Sequence, residues 1–206
     1  MIITKIKGGL GNQLFQYATG RAVASHHKLP LKLDLTWFET NKLHNGYRLD
    51  QLAIQAEIAT ENEIIKLKGE NNILFSALRK VGLFKRKSYF KEKRSSYFDG
   101  GVFKNKFLYL NGYWQNELYF SNIRESLLGE LSPINSMSDL GYAYLESIEK
   151  SNSVSLHVRR GDYLNLKNIG VLGVDYYTKA VDYIRQNVEN PTFFIFSDDL
   201  EWCKNS

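Results

Sequence analysis

The first 35 residues constrain the fold of this chain more than any other segment. Residues 2–6 predict a short apolar strand, which a glycine-rich turn at residues 8–11 ends. Apolar residues then recur at helical spacing over residues 13–27, and residues 29–35, LPLKLDL, alternate apolar and polar side chains like a second strand. Strand, glycine turn, helix and strand in this order predict an α/β unit.

A second unit of the same kind is predicted near the other end of the chain. Residues 153–159, SVSLHVR, predict a strand, and residues 174–189 have the apolar stripe of an amphipathic helix. Residues 191–199, PTFFIFSDD, predict a short buried strand that ends in acidic residues. Both ends of the chain are therefore expected to be α/β.

The turn-rich stretch SPINSMSD, residues 132–139, is the best candidate for a domain boundary. We therefore predict an N-terminal domain over residues 1–135 and a second domain over residues 136–206. The sequence stops soon after the last predicted strand, whereas a nucleotide-binding α/β domain usually continues through further strands. The second domain is thus expected to be incomplete.

The middle of the chain carries weaker signals. A helix is predicted over residues 60–82, with Thr60 and Glu63 as its capping box. Residues 85–94, KRKSYFKEKR, carry six basic side chains and one acid, which is typical of a solvated loop or helix end. The alternative is a surface for acidic lipid or nucleic acid. The remaining predicted elements are a strand at 106–116 and a helix at 117–129.

Composition narrows the functional classes only slightly. Hydrophobic residues make up 43% of the chain, which is enough for a core, and the net charge of +5 fits an anionic small-molecule ligand without demanding nucleic acid. A single cysteine, Cys203, excludes an internal disulfide and favours a reducing compartment. The expected location is cytoplasmic, with peripheral contact at the inner face of the membrane as an alternative.

The motif HVRRGDY, residues 157–163, places two arginines at the end of a predicted strand. Because side chains alternate along a strand, His157 and Arg159 project together at the carboxyl end, where open α/β sheets bind ligands. Arg159 is predicted to hold a phosphate, whereas Arg160 is predicted to make a structural pair with Asp162, with Gly161 supplying the turn. The alternatives are an Arg–Asp pair that only fixes a loop and a hydrogen-bonded core histidine.

The stretch GGLGNQLFQYA, residues 8–18, joins the first strand to the first helix. Glycines such as Gly9 and Gly11 let backbone N–H groups approach a ligand, and the helix N-terminus favours negative charge. Asn12 and Gln13 place two amides at the start of the helix. These amides either bond a diphosphate or sugar, or simply cap the helix.

This stretch differs from two familiar phosphate-binding loops. A Walker loop fails because no Gly-Lys-Ser/Thr sequence closes it. A dinucleotide fingerprint fits Gly9 and Gly11, with Asp34 at the end of the next strand, but Leu14 occupies the position of the third glycine. A nicotinamide-dependent oxidoreductase therefore stays as an alternative.

The third candidate stretch is FSDDLEW, residues 196–202. An acid at a strand end beside a nucleotide can accept hydrogen bonds from guanine or ribose, which makes Ser197 and Asp198 candidate contacts. Asp198 and Asp199 are adjacent and expected to point apart, so a shared metal is not supported. Either aspartate is equally a candidate N-cap of the next helix.

Together, GGLGNQLFQYA, HVRRGDY and FSDD resemble the α-1,2-fucosyltransferases of glycosyltransferase family 11, of bacterial type, in the same order along the whole chain. HVRRGD is shared with α-1,6- and protein O-fucosyltransferases, so the N-terminal motif is the more specific one. The resemblance implies a GT-B-like fold of two Rossmann-like domains, the second incomplete here. It also implies GDP-fucose as donor substrate, with no metal and no cofactor.

The resemblance also implies roles for individual residues. Arg159 would hold the donor diphosphate as the catalytic residue, His157 and Asp198 would contact guanine, and Asn12 would line the cleft. The N-terminal domain would be the acceptor side. The implied reaction is inverting transfer of L-fucose to the 2-hydroxyl of a galactose-terminated glycan. A lipid-linked glycan is one candidate acceptor, and no nucleic acid partner is expected. A basic binding module or an inactive fragment are the alternatives outside catalysis.

Overall fold

The structure is a computed structural model that describes residues 1–41, 46–69, 87–94, 97–165 and 170–205, without the side chains of Asp162 and Asn165. It divides into two compact units, Met1–Asn135 and Ser136–Ser206. They are called the N-terminal and the C-terminal unit below.

The described part of the N-terminal unit contains a five-stranded parallel sheet in the order β3-β2-β1-β5-β4. Its strands are β1 (Ile2–Lys5), β2 (Leu31–Asp34), β3 (Glu57–Ile58), β4 (Tyr89–Lys91) and β5 (Leu108–Asn111). The chain leaves β1 towards β2 and β3, then returns on the other side of β1 through β4 and β5. The strand order therefore reverses between β1 and β5, and open α/β sheets bind ligands at such a reversal.

Four α-helices are described in this unit, namely α1 (Leu10–His27), α2 (Trp37–Thr40), α3 (Glu61–Lys68) and α4 (Arg124–Glu130). The capping box of Thr60 and Glu63 is confirmed at the start of α3. Helix α3 ends at Lys68, since Gly69 has φ 88°. The rest of the helix predicted to residue 82 lies outside the described residues.

Three local predictions in this unit are corrected by the structure. Helix α1 begins at Leu10 rather than at residue 13, because the extended Gly9 acts as its N-cap. The predicted helix at 117–129 is two 3₁₀ turns followed by α4. Within the basic stretch, Tyr89–Lys91 is the edge strand β4 rather than a solvated loop, because the ring of Tyr89 stacks on that of Tyr109 with 5.8 Å between centroids.

The close contact between α1 and the sheet depends on Gly20, in the interior of the helix. A Cβ built at Gly20 would lie 2.1 Å from Oγ1 of Thr4 on β1 and 3.0 Å from Cδ1 of Leu31 on β2. Leu14, at the third-glycine position of the dinucleotide fingerprint, instead packs its side chain partly buried against the core. The close helix–strand approach is thus present, but further along the helix.

Replacing Gly20 by alanine is expected to lower the free energy of unfolding by about 1–3 kcal/mol, since the helix or the strand must shift to admit the methyl group. Urea unfolding followed by circular dichroism measures this. Gly129→Ala in α4 is the matched control, because a Cβ there meets no atom within 4 Å. That control should be neutral or slightly stabilising. Equal stability of both variants would contradict the close contact.

The C-terminal unit contains the predicted strand–helix–strand pattern. Its described elements are α5 (Asp139–Glu149), β6 (Asn152–Val158), α6 (Val174–Asn187), β7 (Pro191–Ser197) and α7 (Leu200–Asn205), and β6 pairs with β7 in parallel. The prediction that β7 is buried is wrong, since Ile195 is 48% and Phe196 52% exposed. Both units are α/β with parallel strands.

Candidate functional site at the carboxyl ends of the strands

The turn between β1 and α1 is braced by Gln13. Its Nε2 donates to the carbonyl oxygens of Gly8, at 2.8 Å, and Gly46, at 2.9 Å, and its Oε1 accepts from the N–H of Arg48 at 2.9 Å. Gln13 is fully buried, so these bonds hold the turn in place. The Gln13 amide thus stabilises the turn through bonds within the fold, and a contact between Gln13 and substrate stays a prediction.

The start of α1 keeps the features of an anion site. Gly9 is extended and makes no side-chain cap, and the first turn of the helix contains no acidic residue. A Cβ built at Gly11 meets no atom within 4 Å, so this position faces open space. The positive end of an 18-residue helix is thus not neutralised by its own first turn.

Side chains from α1 and from the loop after β5 meet at this edge of the sheet. The Oδ1 atom of Asn12 accepts a hydrogen bond from Nε2 of Gln115 at 2.8 Å. The ammonium group of Lys7 lies 4.3 Å from the centroid of the Tyr113 ring. Burial, together with the charge of nearby Lys5, lowers the pKa of Lys7. The edge therefore combines polar amides with a partly desolvated cation.

The 112–115 turn after β5 is held in a strained conformation by Glu92. The Glu92 carboxylate accepts from the backbone N–H groups of Tyr113, at 2.6 Å, and Trp114, at 3.0 Å. Trp114 has φ 59°, a left-handed conformation that costs a bulky residue about 1–3 kcal/mol. A Cβ on Gly112 would lie 2.4 Å from Cβ of Glu92, so only glycine fits there. Sequence reasoning missed Glu92, although it is the single acid of the basic stretch.

Asp34 does not offer its carboxylate to a ligand. It is fully buried, its Oδ1 accepts from the backbone N–H and the hydroxyl of Thr36, and its Oδ2 accepts from the hydroxyl of Tyr109. A ribose-binding acid must face the nucleotide, so the oxidoreductase alternative loses the residue on which it depended.

Asp198 holds together the carboxyl ends of β6 and β7 in the C-terminal unit. Its Oδ1 accepts from the backbone N–H groups of Arg160, at 2.9 Å, and Gly161, at 3.1 Å, and its Oδ2 pairs with Nη1 of Arg159 at 3.0 Å. These bonds, chiefly that from the Arg160 N–H, lower the pKa of Asp198. The carboxylate is therefore ionised at neutral pH and fixes the turn that carries both arginines.

Gly161 is explained by this carboxylate rather than by an unusual turn conformation. A Cβ on Gly161 would lie 2.7 Å from Oδ2 of Asp198, whereas its φ is not among the positive values of the chain. Gly161 lies in a turn, as predicted, and the close approach of Asp198 is the reason that a side chain is excluded there.

The two arginines have different surroundings. The Arg159 side chain is 40% exposed and its guanidinium lies 5.4 Å from the Tyr163 ring centroid. Arg160 is 17% exposed, pairs through Nε with Asp199 at 3.2 Å and lies 4.2 Å above the Trp202 ring. Arg160 thus makes a structural ion pair, but with Asp199 rather than with the predicted partner Asp162, whose side chain lies outside the described residues.

The remaining predicted site residues lie at the same strand ends. His157 is exposed, on the face of β6 opposite to buried Val158, as the alternation predicted. Oγ of Ser197 accepts from the N–H of Asp199 at 2.9 Å, and Asp199 caps α7 by accepting from the N–H of Trp202. The side chain of Asp162 lies outside the described residues.

A family model described as glycosyl transferase family 11 matches residues 1–206. The chain belongs to this family. It is 36% identical to an alpha-1,2-colitosyltransferase of Escherichia coli, over 99% of this chain and 71% of that protein. It is 30% identical to the O-antigen biosynthesis glycosyltransferase WbnK of the same organism, over 98% of this chain and 74% of that protein. The galactoside 2-alpha-L-fucosyltransferase Sec1 of Mus musculus is 24% identical, over the whole chain and 52% of its own length.

Membership in glycosyl transferase family 11 confirms the family predicted from the three motifs. Among the described residues, no cluster of His, Cys, Asp or Glu is arranged to hold a metal ion. The described helices include none of the length and apolarity needed to cross a membrane.

Proposed function

We propose that this family 11 glycosyltransferase transfers L-fucose from GDP-fucose to the 2-hydroxyl of a terminal galactoside, with inversion and without a metal. The relatives are named as fucosyl- and colitosyltransferases that form α-1,2 linkages. The observation that carries the proposal is the exposed Arg159 guanidinium, fixed by Asp198 at the carboxyl end of β6.

In the proposed reaction, the acceptor hydroxyl attacks the anomeric carbon of fucose and releases its proton. The bond from that carbon to the β-phosphate oxygen breaks, and GDP leaves. Negative charge grows on the departing phosphate, so a fixed cation stabilises the transition state more than the ground state. Arg159 supplies this cation. Gly9, Gly11 and Asn12, at the start of α1, are assigned to substrate binding within the N-terminal unit.

The other predicted contacts complete the proposal. His157 is exposed at the same strand end as Arg159 and is assigned to the guanine base. Ser197, which pairs with Val158 in register, and Asp162, on the following turn, are assigned to substrate binding. Arg160 is assigned a positioning role because Asp199 and Trp202 hold its guanidinium. We also propose a GT-B-like organisation in which the N-terminal unit binds the acceptor and the C-terminal unit binds the donor, while peripheral membrane contact stays a prediction.

The test is a transfer assay with the purified chain, lactose as acceptor and GDP-fucose as donor, with product linkage determined by NMR. We expect an α-1,2-fucosylated galactose, formed equally with and without EDTA. A parallel reaction with GDP-colitose decides which sugar is preferred, since one relative is named for colitose. Absence of transfer from either donor, or transfer to another hydroxyl, would overturn the proposal.

A further inference from the structure

We propose that the 112–115 turn is a platform for the acceptor, on which Tyr113 stacks against a terminal pyranose ring and Gln115 bonds its hydroxyls. This rests on the proposed function, because it names where the acceptor sugar of that reaction binds. The turn follows β5, the strand beside β1 at the reversal of strand order, where open α/β sheets take their ligands.

The strain in the turn is the first argument. Trp114 adopts a left-handed conformation although it is bulky and fully buried, and its buried indole N–H has no hydrogen-bond partner among the described residues. Such a conformation persists only where its surroundings over-determine it, and it clusters at binding sites. Here Glu92 supplies the constraint through two charge-assisted bonds to the backbone of the turn.

The contrast between neighbouring aromatic residues is the second argument. Trp114 is fully buried, with its ring edge-on to Tyr119 at 5.4 Å between centroids, whereas Tyr113 is 39% exposed. The ring of Trp114 thus anchors the turn in the core, while the neighbouring ring of Tyr113 is partly exposed to solvent. Lys7 lies over the Tyr113 ring and restrains it, so the ring is presented in a defined orientation.

The chemistry beside the ring is the third argument. Gln115 and Asn12 form a hydrogen-bonded amide pair at the same edge. Amides both donate and accept, which matches sugar hydroxyls, and an aromatic ring matches the C–H face of a pyranose. An apolar ring with a few orienting polar groups is the usual composition of a small-ligand site.

The test measures lactose binding to the 206-residue chain by saturation-transfer NMR, for the parent protein and three variants. Tyr113→Ala is expected to weaken lactose binding about tenfold, which corresponds to the loss of one stacking contact. Tyr113→Phe keeps the ring and should bind within about twofold of the parent. Tyr97→Ala, at a tyrosine that is 67% exposed elsewhere in the same unit, should bind like the parent.

Calorimetry with GDP on the same proteins provides the second measurement. A variant that loses lactose but retains GDP supports an acceptor platform, whereas Tyr113→Ala losing GDP and retaining lactose overturns it. Parent-like lactose binding by Tyr113→Ala, or no lactose binding by the parent, also overturns it. If Tyr113→Ala does not fold, Gln115→Ala takes its place, with an expected several-fold loss of lactose affinity.

These binding outcomes are independent of the transfer assay. Should the parent bind lactose through Tyr113 and yet transfer no sugar, the proposed function fails and the platform stands. Where transfer is observed, Tyr113→Ala should raise the acceptor KM by the same factor while the donor KM stays constant. A fall in kcat alone would contradict a platform.

Discussion

Arg159→Ala is expected to lower the turnover of fucosyl transfer by about a hundredfold or more. Loss of a single fixed cation or hydrogen-bond donor at the charge that develops in the transition state lowers kcat by about that factor. The structure pairs Nη1 of Arg159 with Asp198 and leaves 40% of the side chain exposed. The ion pair with Asp198 orients the Arg159 guanidinium, whose planar fork matches the geometry of a diphosphate. Steady-state assays at saturating lactose and GDP-fucose measure the effect.

Two further variants make this result specific. Arg159→Lys is expected to recover little activity, since an ammonium group lacks the planar fork that grips a diphosphate. Arg124→Ala removes an arginine whose side chain is 69% exposed in the N-terminal unit and should stay within about twofold of the parent. Turnover near the parental rate in Arg159→Ala would refute the assigned role, provided that circular dichroism shows a folded protein.

The sequence predicted the α/β units well because their signals are local. The apolar segment at residues 2–6, the helical spacing that follows and the capping box at Thr60 depend on residues close in the chain, and the structure reproduces them. Edge strand β4 was missed because its stability comes from a distant ring, that of Tyr109, rather than from its own basic sequence.

In the candidate site, too, features that depend on neighbouring residues were predicted and features that depend on distant contacts were not. The positions of Arg159 and His157 at the end of a strand were predicted because a strand followed by HVRRGD is a local pattern, and alternation correctly placed His157 on the exposed face. Glu92 and Gln115 were missed, since their roles depend on contacts to residues about 20 and 103 positions away. The structural bonds of Gln13 were not predicted for a related reason: its partners Gly46 and Arg48 come from another part of the chain.

Asp198→Ala is expected to lower turnover by tens of fold while leaving the preference for GDP over ADP unchanged. Asp198 accepts hydrogen bonds from the backbone N–H groups of Arg160 and Gly161 and forms an ion pair with Arg159. Removing its carboxylate therefore leaves these two N–H groups unpaired and the turn at residues 160–161 less constrained. We therefore expect it to act as a positioning residue. Guanine recognition by this carboxylate, the role implied by the family resemblance, predicts instead that the GDP-to-ADP affinity ratio collapses.

Calorimetric titration of both nucleotides separates these outcomes, with Glu189→Ala, an exposed acid of the same unit, as the control. The pH dependence gives a second readout. Because the pKa of Asp198 is lowered in the folded protein, its pairing with Arg159 is complete above the ordinary aspartate pKa. It is lost only as pH falls through the lowered value, so Asp198 should contribute no inflection to the rate between about pH 5 and 9. An inflection in that range that disappears in Asp198→Ala would show that this carboxylate titrates during turnover, which a purely positioning role does not allow.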